Sequence, residues 1–377
     1  MSVKRRVVYY LSGFDPRGVR YYHSLYKEHF TKQSALNGLT GSVSSRKKIH
    51  NHLYQWEIEA HVQGKAVHTT YRFLSWDDII RHEWSSGLFN YYKDIFLFIR
   101  GYLLNGLFVP FSKHSPKQLI AGLYPLVYLI GALLLAFYAG TTLYQIFHGW
   151  IGGLLGVGLG LGVLILLQRF GDRVGVFWLL RIYIFCLHLS KNQIERMEER
   201  ISHFSADMIS ALDSEEIDEV LLVSHSVGTI LAVSVLSQAL NKTLNWDKFG
   251  MVTLGECIPL VSFQPDARRY RDELQAIANH KNLFWLDYTA PIDGACFPLH
   301  DFMKSSGIKT KSTLFPRYLS PRFHTVFDRI TYKRLRRDWY ATHFLYIMSS
   351  QKVGEYDYFA MTAGAEFIRN KFDRQKS

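Results

Sequence analysis

The residues with the clearest chemical meaning lie in the run 219–232, EVLLVSHSVGTILA. Its apolar stretch VLLV has the composition of a strand buried on both faces. The apolar run after Gly228 is that of a helix, so Ser226 falls on the turn between them. A serine hydroxyl presented on a sharp strand-to-helix turn is the arrangement from which a nucleophile attacks a carbonyl. Such a turn presses the positions two before and two after the serine against strand and helix backbones, so both must be small. Ser224 and Gly228 meet that need, with Ser224 standing where glycine is usual. The five-residue match gains its force from the buried strand before it and the apolar helix after it.

On these residues, Ser224-His225-Ser226-Val227-Gly228 after a buried strand, the chain resembles the α/β-hydrolase superfamily in its lipase and esterase branch. The resemblance covers the segments on either side of a long apolar insertion. It implies an α/β fold, a mostly parallel sheet covered by helices, and a triad in the chain order serine, acid, histidine. For the acid, the segment LFWLDYTAPIDG offers Asp287 and Asp293. Asp293 is preferred because it follows the end of the β-like run, where a carboxylate can orient an imidazole. Asp287 lies inside that run. For the histidine, His300 follows the acid too closely to return to the serine, and His324 sits in PRFHTVF, read as the last strand. His343, in DWYATHFLYI, marks the change from a polar to an apolar stretch and is preferred. An oxyanion would meet the backbone N–H of Val227, directly after the nucleophile, and that of Phe14 in the loop after the first strand. The implied chemistry is acyl transfer through an acyl-enzyme, with His343 as base and Asp293 holding it. No metal or other cofactor is expected, and the chain has no P-loop, no GxGxxG opening a helix and no HExxH.

The elements that must position these groups alternate. Residues 6–11 read as a strand ended by Ser12-Gly13, 19–30 as a helix, and 52–62 and 67–75 as two strands joined by a turn. After the insertion, 191–212 reads as an amphipathic helix, 219–223 as a strand and 229–240 as a helix. Then 251–263 reads as a strand, 272–279 as a helix and 283–288 as a strand. This alternation argues for a mostly parallel sheet.

Between Lys117 and Arg169 there is no Asp, Glu, Lys or Arg. One helical crossing of a bilayer needs roughly 20 apolar residues, so 119–140 and 151–167 are expected to form a transmembrane hairpin. Its second half, GGLLGVGLGLGVL, spaces glycines for close helix packing, within the hairpin or in a homo-oligomer. Segments 88–107 and 174–189 are aromatic-rich with isolated charges and are expected to lie at the membrane interface. The expected domains are therefore 1–87 and 191–377, two parts of one α/β-hydrolase domain, and 88–190, the membrane insertion. Lys113, Lys117, Arg169 and Arg173 flank the hairpin and its turn carries no Lys or Arg, which places both termini and the catalytic domain on the cytoplasmic side.

The composition, 48% hydrophobic and 15% aromatic over 377 residues, excludes a disordered chain. Three scattered cysteines, Cys186, Cys257 and Cys296, exclude a disulfide framework and a cysteine zinc site. The first apolar run is shorter than the roughly 7–15 residues of a secretory signal, so none is expected. The net charge of +12 is concentrated between Lys304 and Arg337, where ten Lys and Arg are opposed only by Asp328. Beside a membrane, such a cluster attracts anionic lipid headgroups. It carries no nucleic-acid recognition module, and no nucleic-acid partner is expected. The expected function is a membrane-anchored serine hydrolase acting on lipid-like esters. The competing expectations are a non-catalytic membrane scaffold on the same fold and an acyltransferase using the same serine.

Overall fold

A computed structural model describes residues 2–310 and 316–373. Lys311 of the basic run lies outside the described residues. The chain forms two compact units, Met1–His82 with Ser190–Ser377, and Glu83–Leu189.

The first unit is an α/β unit built on a nine-stranded, mostly parallel mixed sheet. Its strands are β1 (Arg5–Leu11), β2 (Thr40–Val43), β3 (Lys47–His50), β4 (Leu53–Val62), β5 (Lys65–Leu74), β6 (Glu219–His225), β7 (Phe249–Leu254), β8 (Trp285–Tyr288) and β9 (Arg317–Leu319). Their spatial order is β2-β4-β5-β1-β6-β7-β8-β9, with β3 also pairing with β4. β4 and β5 form an antiparallel hairpin, and its two-residue loop, Gln63-Gly64, takes positive φ at both positions. That conformation matches the twist of the strands it joins. From β5 through β9 every pairing is parallel. β6 is buried at every position, as its unbroken apolar run demands.

One sheet face packs Val8, Tyr10, Trp56, Tyr71 and Phe73 against helix Gly18–Asn37 and the C-terminal segment. Behind the other lie helices Met197–Asp213 and Gly228–Ala239, packed on each other. A buried ion pair ties the chain's end to its centre. Arg6 Nε donates to Glu219 Oε2 at 2.6 Å, and the rest of the guanidinium donates to the carbonyls of Gly364 and Glu366.

Two readings of the sequence are corrected. The expected strand 251–263 ends at Leu254, because Gly255 turns the chain with φ +56° and Pro259 starts the short helix Pro259–Ser262. The segment around His324, expected as the last strand, is the helical turn Phe323–Val326, and β9 precedes it. β2 and β3 were not expected; they are short and largely exposed, without an apolar alternation to signal them.

The second unit contains helices Pro116–Phe147 and Gly149–Arg173, both long and apolar enough to cross a membrane. Ser115 caps the first, its Oγ accepting from the N–H of Gln118, and Pro116 occupies the first turn, where no N–H is needed. The two helices pack closely through glycine. A Cβ on Gly156 would lie 2.5 Å from the carbonyl oxygen of Gly140, and one on Gly140 would lie 2.8 Å from that of Gly156. Outward-facing side chains remain apolar, with Phe137 72% and Trp150 76% exposed. Residues 89–114 form a bent helical pair with a 69° break. Helix Val176–Ser190 buries Tyr183 edge-on against Tyr102 and Phe98 of that pair.

Candidate active site

β1 has β5 on one side and β6 on the other, so the chain leaves β1 in one direction and later returns past it. The carboxyl ends of strands on either side of such a reversal open a crevice where ligands of α/β sheets bind. The loop after β1 and the turn after β6 meet there, Leu11 pairing in register with Ser224.

Ser226 sits on that turn at φ +58°, a left-handed conformation uncommon for any residue but glycine. Its N–H donates to the carbonyl of Leu254 at 2.9 Å, which fixes the turn against β7. Helix Gly228–Ala239 starts immediately and needs its glycine, since a Cβ on Gly228 would lie 2.5 Å from the carbonyl oxygen of Ser12. The loop after β1 comes equally close from the other side. A Cβ on Gly13 would lie 2.8 Å from Ser226 Cβ and 3.1 Å from Oγ. Trp76 Nε1 donates to the carbonyl of Ser12 at 3.1 Å and pins this loop. Phe14, which follows Gly13, and Val227 are both buried, and the N–H of Val227 makes no hydrogen bond among the described residues.

Asp293 follows β8 in a loop and is fully buried. Its Oδ1 accepts from the N–H of Ala295 at 2.9 Å. Its Oδ2 takes two bonds, from His343 Nδ1 at 2.9 Å and from the Tyr346 hydroxyl at 3.1 Å. Burial alone would raise its pKa, but His343 and the Ala295 N–H outweigh burial and hold the carboxyl below its ordinary value. His343 lies in helix Trp339–Phe344, capped by Asp338, and its Nε2 is buried with no hydrogen-bond partner among the described residues. The Asp293–His343 pair and Ser226 share neighbours. Cys257 Sγ lies 4.0 Å from Ser226 Oγ and donates to the carbonyl of Ala295 at 3.2 Å. The rings of His225 and His343 are 4.7 Å apart. Ser226 Oγ and His343 Nε2 are not hydrogen-bonded to each other.

The other candidates go elsewhere. Asp287 lies inside β8, where its Oδ1 accepts from Thr253 Oγ1 at 2.6 Å. His300 bonds Ser305 through Nε2, and His324 is exposed on its helical turn. Three neighbours of the site were not singled out from the sequence. Tyr346 was hidden because a tyrosine in an apolar aromatic run reads as core, although it lies three residues after His343. His225 was quoted within the motif but given no role; its Nε2–H donates to the carbonyl of His343 at 2.7 Å. Burial, with His343 adding to it, pushes its pKa down to about 3, so its ring is neutral. Cys257 follows the end of β7 in a stretch read as strand, which concealed its approach to Ser226.

Among the described residues no group of three or more His, Cys, Asp or Glu is placed to hold a metal ion. Comparison of the chain with known protein families, with curated proteins and with solved structures found no match.

Proposed function

We propose that this protein is a serine hydrolase of the α/β-hydrolase type, anchored in a membrane and acting on lipid-like or acyl esters. The observation that carries the reading is the buried Asp293–His343 bond, which leaves His343 Nε2 without a partner among the described residues, its ring 4.7 Å from that of His225, the residue before a serine held in a left-handed turn. In the proposed reaction, His343 Nε2 takes the proton of Ser226 as Oγ attacks the acyl carbonyl. Ionised Asp293 keeps the proton on Nδ1 and stabilises the imidazolium that forms. The N–H groups of Val227 and Phe14 receive the developing oxyanion. The imidazolium then protonates the leaving alcohol, and water repeats the sequence in reverse to release the acid and free Ser226.

Membrane anchorage rests on the two long apolar helices, and the basic residues at their outer ends favour a cytoplasmic α/β unit. A water-insoluble substrate class follows from that anchorage together with the basic surface near the C-terminus. The test is hydrolysis of p-nitrophenyl acyl esters presented in detergent micelles. Wild type is expected to release nitrophenol, with kcat falling by about 10³-fold or more in His343→Ala. Equal rates in wild type and variant would remove His343 from the mechanism.

A further inference from the structure

The chain immediately before His343 forms a surface of unusual composition. Helix Arg329–Leu335 and the turn that follows it present Arg329, Lys333, Arg334, Arg336 and Arg337, all exposed. None of these five cations is paired with a carboxylate among the described residues. The acidic groups within the segment are engaged as caps. Asp328 accepts from the N–H groups of Ile330 and Thr331, and Asp338 from that of Ala341. Large apolar and aromatic side chains lie among the cations, with Ile330 83%, Trp339 39% and Tyr340 48% exposed.

We infer that this segment, residues 328–340, is a docking surface for an anionic lipid bilayer. Unpaired cations answer the negative charge of phosphate headgroups, with five guanidinium or ammonium groups within nine residues. Ile330 favours lipid over a soluble polyanion. An exposed aliphatic side chain in the first turn of a basic helix makes no hydrogen bond to a base edge or phosphate, whereas in a bilayer it inserts among acyl chains. Trp339 and Tyr340 supply the amphipathic rings that settle at headgroup level.

The surface adjoins the candidate site. The Trp339 ring lies where a Cβ on Gly294, beside Asp293, would come within 2.7 Å of it. The Arg17 guanidinium stacks on Tyr21 at 3.6 Å and lies 5.2 Å from the Phe344 ring, next to His343. Docking through this segment sets the site at a charged lipid surface. The docking itself is independent of the chemistry proposed for Ser226, and its test reads no turnover.

The full chain carrying Ile330→Cys, labelled with a polarity-sensitive fluorophore, is reconstituted in nanodiscs of phosphatidylcholine alone or mixed with phosphatidylglycerol. The three native cysteines are buried, which directs the label to position 330. The expected result is a blue shift with several-fold stronger quenching by brominated lipids in the anionic discs. Both effects should fall to the neutral-disc level when Lys333, Arg334, Arg336 and Arg337 are replaced by glutamine. Equal emission in the two disc types, or quenching that survives the glutamine replacements, overturns the inference. A larger shift with added RNA than with anionic lipid would overturn it in favour of a nucleic-acid partner. Covalent labelling of Ser226 by a fluorophosphonate, measured on the same samples, separates failure of docking from failure of the hydrolase reading.

Discussion

The two oxygens of Asp293 are held by the Ala295 N–H, His343 and Tyr346, so the carboxylate is fully engaged before any substrate arrives. Tyr346 makes a second bond, its hydroxyl accepting from the N–H of Ala290 at 2.9 Å, which holds the loop between β8 and Asp293 against the helix bearing His343. A hydrogen bond to a charged group is worth about 1.5–3 kcal/mol. Tyr346→Phe is therefore expected to lower kcat for ester hydrolysis by about tenfold or more with little change in KM. Steady-state kinetics checks this, and an unchanged kcat would remove Tyr346 from the positioning of Asp293. His225 acts at the same scale, bonding the His343 carbonyl with a ring that burial keeps neutral. The Ser226 turn could be read from sequence because the small residues and apolar flanks that it needs are all local. Tyr346 and His225 could not, because their roles depend on contacts across the fold rather than on residue type.

At the scale of elements, the glycines spaced at i, i+4 in helix Gly149–Arg173 fall on two faces. Gly152, Gly156 and Gly160 face the backbone of the preceding helix, while Gly158 and Gly162 have nothing within 4 Å of an added Cβ. Gly156→Leu is expected to force the pair apart at a cost of about 1–3 kcal/mol, the usual penalty of overpacking. Gly158→Leu should leave the pair intact. Thermal unfolding of the detergent-solubilised chain checks both, and equal melting temperatures for the two variants would contradict the packing. The glycine spacing was readable in the sequence; which of its two faces meets the neighbouring helix was not, since both repeat at i, i+4. The parallel strands were legible as apolar runs for the same local reason. β7 read too long because Ile258 to Phe263 continues the apolar pattern after Gly255 and Pro259 have already redirected the backbone. The strand expected at His324 failed likewise, since its alternating pattern belongs to a helical turn entered through Arg322 at φ +47°.

For the molecule as a whole, two buried carboxyls outside the Asp293–His343 pair set a pH dependence of stability. Burial pushes Asp287 up to about 8, against the lowering effect of its bond from Thr253. Burial, with Asp287 adding to it, raises Glu256 well above the ordinary carboxylate value. A carboxyl whose folded pKa is raised contributes stability that is fully present below its unfolded pKa and lost as pH rises through the folded one. The melting temperature should therefore fall as pH rises from about 4 through about 8, and Asp287→Asn should flatten that fall. A variant whose pH profile parallels that of wild type would contradict the assignment. The central claim concerns Ser226, and the most direct measurement is labelling of the detergent-solubilised chain with a fluorophosphonate, followed by peptide mass mapping. The account predicts one phosphonylated residue, Ser226, with labelling abolished in Ser226→Ala and strongly reduced in His343→Ala and Asp293→Ala. A folded wild-type chain that takes no label, or a label that persists in Ser226→Ala, would contradict it.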